Sequence, residues 1–357
     1  MPDGVGNAVV CVPARNETER LPRLLSTLAL QYGFGPDRRL RVLVVVNNSH
    51  DGTAARVREA LPSWPALSVR LVEDVYDDPD AHVGTARRRA LDLGADWLED
   101  DCEGVLLSTD ADARLAPGWI RANLAALNGA EMVGGRLVID RESETPPELL
   151  ALHAAVEAYW AAVREIEDRL DPPPYDPAPR HGDHTGASLA LRAALYREVG
   201  GLPPLRRGED NALVRLVREA GGRVRHCPGV SVLVSDRRDG RAEGGMAAEM
   251  ARRADAATRP GEYQLPAPWH WDALIRRRAA LRAAWLAGPG EAVRTLAGLG
   301  LAPPDINRVD LAACPNDIAF VERASALLET RDGPAPHMPL DRALAAFEKQ
   351  TVLEPAA

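Results

Sequence analysis

Val105-Leu106-Leu107-Ser108-Thr109-Asp110-Ala111-Asp112 decides the fold. The apolar run predicts a buried strand, and such a strand delivers the acid pair behind it to the rim of a sheet. In open α/β folds ligands bind in the crevice at the carboxyl ends of the strands. An Asp-x-Asp pair at that place suits a hard divalent cation, which takes oxygen ligands and is usually held by one or two carboxylates plus the phosphates of a bound ligand. The same acids could also cap the helix that begins near Pro117 or decorate a turn. Their neighbours decide between the two.

Upstream, Val9 to Val12 ends at Pro13, and Leu21, Leu24, Leu25, Leu28 and Leu30 then fall on one helical face, so the order is strand, loop, helix. Val42 to Val46 repeats the pattern, followed by the turn-rich Asn47-Asn48-Ser49-His50-Asp51-Gly52-Thr53 and a helix from Ala54 to about Ala60. Val69 to Val72 is a third strand, helices are expected from Gly84 to Leu93 and from Pro117 to Leu127, and Glu131 to Ile139 is a further strand. This alternation predicts βαβ units and a largely parallel, right-handed α/β sheet flanked by helices.

Pro147 to Leu170 carries a long helical pattern, which the proline-rich stretch Asp171 to Pro179 breaks into an extended loop, a lid or a spacer. Order resumes from Gly186 to Gly201, and Asp210 to Ala220 reads as a helix closed by Gly221-Gly222. Beyond Met246 the sheet-like runs disappear, and helices are expected at Trp271 to Ala287, Glu291 to Leu299, Ala319 to Leu328 and Leu340 to Phe347. The expected division is therefore a sheet domain at 1–245 and a helical C-terminal extension at 246–357, covering the acceptor side or forming a homodimer contact.

The chain has 357 residues, enough for one large α/β domain with a smaller unit. A formal charge of -9 argues against a general nucleic-acid binder, whose footprint is a strongly basic face. Lys349 is the only lysine among abundant arginines. That bias suits a GC-rich genome, although the planar donor fork of arginine also suits phosphate. Cys11, Cys102, Cys227 and Cys314 form no Cys-x-x-Cys pair, so neither a zinc site nor a disulfide framework is indicated. No apolar run has the length needed to cross a bilayer and no basic leader follows Met1, so a soluble cytoplasmic protein without an integral membrane segment is expected.

The sheet-end loops each carry chemistry, in the order Pro13-Ala14-Arg15-Asn16-Glu17, Asn47 to Thr53, Arg87-Arg88-Arg89, Asp110-Ala111-Asp112, His184-Thr185-Gly186-Ala187-Ser188 and Gly208-Glu209-Asp210. This ordered set resembles the inverting family 2 glycosyltransferases of the GT-A fold, over roughly the first 240 residues. The resemblance implies Mn²⁺ or Mg²⁺ on Asp112, with Asp110 sharing the metal or facing the ribose of a nucleotide-diphosphate sugar donor. It implies Pro13, Arg15, Glu17 and Asp51 around the nucleotide, and Asn47 where many relatives carry a base-reading aspartate. An amide there can donate as well as accept, so the base stays open.

The resemblance makes Asp210, with Glu209 beside it, the catalytic base that deprotonates a hydroxyl or amine acceptor, and it places Gly186 against the sugar. Glu209 and Asp210 would equally suit the first turn of the following helix. Arg88, from the arginine triplet, and Arg238, or its loop neighbours Arg237 or Arg241, from the basic loop Ser235 to Arg241, are the candidate phosphate contacts. His226 is the candidate third metal ligand, with His184 a second possibility. Trp269-His270-Trp271 could stack on sugars but reads better as packing. Two alternatives are a nucleotide-sugar-forming nucleotidyltransferase and a non-catalytic nucleotide-sugar-binding protein. The first usually carries a glycine-rich loop after the first strand, where this chain has Pro13 to Glu17, and the second would be expected to have lost one of Asp110, Asp112 or Asp210.

Overall fold

The computed structural model describes residues 7–98, 103–140, 145–237, 245–259 and 261–353, and it divides into two compact units. In chain order its elements begin with β1 (Ala8–Ala14), α1 (Arg20–Ala29), β2 (Leu40–Asn47), α2 (Thr53–Ala60), β3 (Leu67–Asp74), α3 (Val83–Asp96), β4 (Val105–Ser108), β5 (Arg114–Leu115), α4 (Trp119–Ala126) and β6 (Met132–Asp140). They continue with α5 (Pro147–Leu170), β7 (Leu189–Arg192), α6 (Ala193–Glu198), α7 (Glu209–Glu219), β8 (Val224–Ser235) and α8 (Met246–Ala257). The remainder is β9 (Gln264–Pro266), α9 (Pro268–Ala287), α10 (Pro289–Gly298), α11 (Pro303–Val309), α12 (Asp317–Asp332), β10 (His337–Pro339) and α13 (Leu340–Leu353).

The first unit is an α/β domain on an eight-stranded sheet of order β3-β2-β1-β4-β7-β6-β8-β5. From β3 through β4 every pairing is parallel, which is the arrangement the alternation of strands and helices predicts. β7 runs antiparallel between β4 and β6, and β5 antiparallel to β8. The remaining strands share one direction, so the sheet is largely parallel as expected.

All of β1 is buried, and its side chains alternate between two apolar layers. Val10, Val12 and Ala14 join Leu21, Leu24 and Leu25 of α1 on one face, while Val9 and Cys11 join Ala86 and Ala90 of α3 and Leu213 and Val217 of α7 on the other. Burial of this kind gives about 25 cal/mol per Å² of apolar surface, which holds both helical layers against the sheet. Polar residues then collect where the parallel strands end.

The second unit comprises Ser143–Ala178, Arg218–Gly221 and Ala248–Ala357, so the long helix α5 packs with the C-terminal helices. Its edges therefore differ from the 245/246 division read from composition, because α5 carries its own apolar face. Val156, Tyr159 and Val163 of α5 pack with Ile275 of α9 and Phe347 of α13. Trp271 Nε1 donates to Tyr159 Oη at 2.6 Å, so Trp271 serves packing, while Trp269 is exposed. The expected helices in this unit are present, and the short strands β9 and β10, which flank α9 to α12 in the chain, pair antiparallel.

Candidate active site

Two loops at the ends of β1 and β2 are stitched together by side chains. Asn16, with φ 55, donates its backbone N–H to Ser49 Oγ at 2.9 Å and accepts His50 N–H on its own Oδ1 at 2.8 Å. Asp51 accepts Thr18 N–H on Oδ2 at 3.1 Å and Thr53 N–H on Oδ1 at 3.0 Å. Partial desolvation would raise the Asp51 carboxyl, but the hydrogen bonds from Thr18 and Thr53 outweigh it and hold it at about 2. Asp51 is thus an anionic staple between the loops.

Arg15 reaches sideways, donating to the Ala81 carbonyl at 3.2 Å just before α3. Pro13 lies inside β1 opposite Val45 and is buried in the sheet. Asn47 closes β2 opposite Asp74 and is buried. Its neighbour Asn48 pairs its amide both ways with the Tyr76 backbone, at 2.9 and 3.2 Å, and Tyr76 Oη donates to Asp74 Oδ2 at 2.8 Å. Nothing in the sequence singled out Asn48, Asp74 and Tyr76, because their union depends on β2–β3 register.

Behind the acid pair stands Arg87, a buried guanidinium on α3 with partners on four elements or loops. It donates to Asp110 Oδ1 at 2.7 Å, Ser108 Oγ at 2.7 Å, the Gly186 carbonyl at 2.8 Å and Glu209 Oε1 at 3.2 Å. Burial alone would weaken its charge, but Asp110 and Glu209 more than restore it and push its pKa up. A glycine is required at 186 because a Cβ there would meet the Arg87 guanidinium carbon at 2.3 Å. Gly186 therefore makes room for arginine, where the sequence reading gave it to the sugar.

Arg88 is not part of this cluster. One helical step turns it by about 100°, and it donates instead to the carbonyls of Leu202 at 3.0 Å and Gly200 at 3.2 Å and pairs with Asp92 at 3.4 Å. The arginine that meets the acids is the preceding one. Arg238 lies outside the described residues, but Arg237, from the same basic loop, is in the site. Its Nη1 is 2.8 Å from Glu17 Oε1 and its Nη2 is 3.1 Å from Asp112 Oδ2.

Burial lifts the Asp112 carboxyl above the usual range, Asp110 adds to the effect, and Arg237 and Arg20 pull the other way. A buried carboxylate close to a second one is costly unless a positive charge compensates it. That fits a divalent cation, since two carboxylates from one loop are the donor set such an ion takes along with ligand phosphates. The histidines do not extend that set. His226 Nε2 faces His184 Nδ1 at 3.0 Å, and His184 Nε2 faces Asn211 Oδ1 at 3.0 Å. Among the described residues no three His, Cys, Asp or Glu side chains converge as a metal-binding group. His226, expected as a third ligand, stands against the His184 imidazole.

Glu209 and Asp210 open α7 and divide their work. Glu209 is buried against Arg87, and burial raises its carboxyl despite that partner. Asp210 is half-buried, accepting Gly186 N–H on Oδ2 at 3.0 Å and Asn211 N–H on Oδ1 at 2.8 Å. Each oxygen keeps a further acceptor position. Ser188, on the same turn as Gly186, is fully buried and accepts from Trp119 Nε1 at 3.0 Å, which makes it a packing residue. Asp110, Asp210 and Gly186 thus meet around Arg87, while Asp112 and Glu17 meet around Arg237.

The strand ends of the mostly parallel α/β sheet thus gather an acid pair, two arginines and a downstream acid. Residues 9–164 match the family described as glycosyl transferase family 2. The chain is 31% identical over 106 residues to a 4,4'-diaponeurosporenoate glycosyltransferase of Staphylococcus haemolyticus, covering 30% of this chain and 24% of that protein. It is 32% identical over 140 residues to one component of the aspartyl/glutamyl-tRNA(Asn/Gln) amidotransferase of Nitrosococcus oceani, covering 39% of this chain and 25% of that protein. The chain thus spans about a quarter of the length of these curated relatives. Among solved structures it is similar to S. aureus TarS 1-349 in complex with UDP-GlcNAc, with 14% identity, a TM-score of 0.47 and 92% of each chain covered. It is also similar to the mannosyltransferase PcManGT from Pyrobaculum calidifontis in complex with GDP-Man and Mn2+, with 20% identity, a TM-score of 0.47, and 92% and 88% covered.

Proposed function

We propose that this protein is a metal-dependent, inverting glycosyltransferase that moves a sugar from a nucleotide-diphosphate donor to a hydroxyl or amine acceptor. The observation that carries the reading is the Arg87 guanidinium, which holds Asp110 on one side and Glu209 with Gly186 on the other, while Gly186 N–H holds Asp210. It joins the acids that would face the leaving group to the acid that would face the acceptor. The family match over residues 9–164 supports the same chemistry.

In this reading Asp210 takes the proton from the acceptor as its oxygen or nitrogen attacks the anomeric carbon. A positioned carboxylate contributes about 10²- to 10⁴-fold as a general base. Glu209 positions Arg87 and does not itself reach a substrate. Asp112, with Asp110, would hold Mn²⁺ or Mg²⁺, whose charge offsets that gathered on the departing nucleoside diphosphate. One base and one leaving-group site correspond to a single displacement and hence to inversion. The stitched loops of Asn16 and Asp51 form the floor for the nucleotide, and Asn47 faces the choice of base.

No described helix is long and apolar enough to cross a membrane. We place the protein in the cytoplasm because Cys11, Cys227 and Cys314 are unpaired thiols. The function is tested by thermal shift with nucleoside diphosphates and nucleotide sugars, with and without Mn²⁺, since a ligand that binds only the folded state raises the melting point. A rise that needs both nucleotide and metal supports the reading. No rise with any nucleotide removes it.

A further inference from the structure

Both carboxylates of the Asp-x-Asp pair have a guanidinium as counter-ion, but the two arginines are held differently. Arg87 is locked from α3 among Ser108, Gly186 and Glu209 as well as Asp110. Arg237 sits two residues past the end of β8 and spans from Glu17 on the β1–α1 loop to Asp112. The three side chains are largely buried, at 15% exposure for Arg237, 16% for Asp112 and 5% for Glu17. Together they carry one net negative charge.

A guanidinium keeps its charge at any working pH, so Arg237 can leave Asp112 only by moving, never by losing a proton. A divalent ion and a guanidinium cannot share the same carboxylate oxygens in a poorly solvated site, because like charges a few ångströms apart repel strongly where the effective dielectric is low. With an ion of two charges on Asp112, Glu17, Asp112 and the ion are neutral together. The Nη2 side of Arg237, which faced Asp112, can then turn to a phosphate oxygen, which a guanidinium holds by a charge-assisted hydrogen bond.

We propose that Arg237 is the resident cation of Asp112, exchanged for a divalent ion when donor binds, and that it passes from the carboxylate to the donor's diphosphate. The second half rests on the glycosyltransferase reading; the first half does not. Arg237 thereby neutralises Asp112 before the donor enters and binds the donor's diphosphate afterwards.

The test measures Mn²⁺ binding by the full chain without nucleotide, from the electron paramagnetic resonance signal of free Mn²⁺. Arg237→Gln is expected to bind Mn²⁺ at least tenfold tighter than wild type, while Arg237→Lys, which keeps the charge, stays within about threefold. Equal or weaker binding by the glutamine variant, or a lysine variant as tight as the glutamine one, overturns the exchange. A crystal structure of the wild type with Mn²⁺ and UDP or GDP needs no variant: Arg237 still hydrogen-bonded to Asp112 beside a bound ion also overturns it. With Mn²⁺ saturating, Arg237→Gln is expected to lose tenfold or more in UDP or GDP affinity, and unchanged affinity overturns the transfer to diphosphate. If no nucleoside diphosphate binds the wild type, the glycosyltransferase reading fails and the transfer with it. The Mn²⁺ comparison still decides the exchange by itself.

Discussion

Gly186 and Arg87 touch through the side of the glycine that any other residue would fill: a Cβ at 186 would stand 2.3 Å from the guanidinium carbon and 2.5 Å from Nη2. The arginine cannot step aside cheaply, because Asp110, Ser108 and Glu209 also hold it. Gly186→Ala is therefore expected to destabilise the protein by about 1–3 kcal/mol from crowding alone, measured by denaturant unfolding. A stability equal to wild type would show that Arg87 is not fixed where the structure has it.

Arg87 and Arg88 make a paired prediction. Arg87→Met leaves Asp110 and Glu209 facing a buried apolar chain, and breaking such a pair costs about 3–5 kcal/mol. Arg88→Ala removes two carbonyl contacts and a half-exposed ion pair, for a loss of about 1 kcal/mol or less. Urea midpoints of the two variants should therefore separate clearly. Equal losses would move the buried role off Arg87.

Asp51 predicts a pH signature. Its folded carboxyl titrates at about 2, below the usual carboxylate value near 4. A depressed folded value contributes stability that is fully present above the unfolded pKa and is lost as pH falls through the folded one. The stability advantage of wild type over Asp51→Asn should hold at pH 6 and shrink between about pH 4 and 2. An advantage constant across that window would show that the staple does not need its charge.

Asp210 tests the chemistry. Asp210→Asn keeps the shape and the acceptor for Gly186 N–H but cannot take a proton, so transfer should fall by about 10²- to 10⁴-fold. Mn²⁺-dependent nucleotide affinity should stay within about threefold, measured by calorimetry on the same preparation. Full turnover by the variant would assign the base elsewhere.

The sequence revealed the strands best where both faces are buried. Val9 to Val12, Val42 to Val46 and Val105 to Leu107 are apolar throughout because helices cover the sheet on both sides. The amphipathic face of α1 was equally plain, and α5 was recognised over its full length. The short strand β5 and helix α6 have too few residues for a period to show. β7 was missed as an antiparallel insertion, since its direction follows from its partners β4 and β6 and not from its own Leu-Ala-Leu-Arg.

At the site, the acids of the motifs were legible and their counter-ions were not. Asp110, Asp112, Glu209 and Asp210 stand in short patterns, whereas Arg87 and Arg88 differ only by one step of helical rotation. Which arginine of a run turns inward is a property of the face that α3 buries. The same holds for His226, whose imidazole partner His184 is brought to it by folding.

Hydrogen bonds within the chain stitch Asn16 to Ser49 and Thr18 and Thr53 to Asp51. The backbone that would cradle a nucleotide is therefore rigidified when the chain folds, and association has little disorder left to remove there. Weakness at Thr18 or Ser49, side chains committed to the scaffold, would surface as poorer donor affinity with a larger entropic penalty.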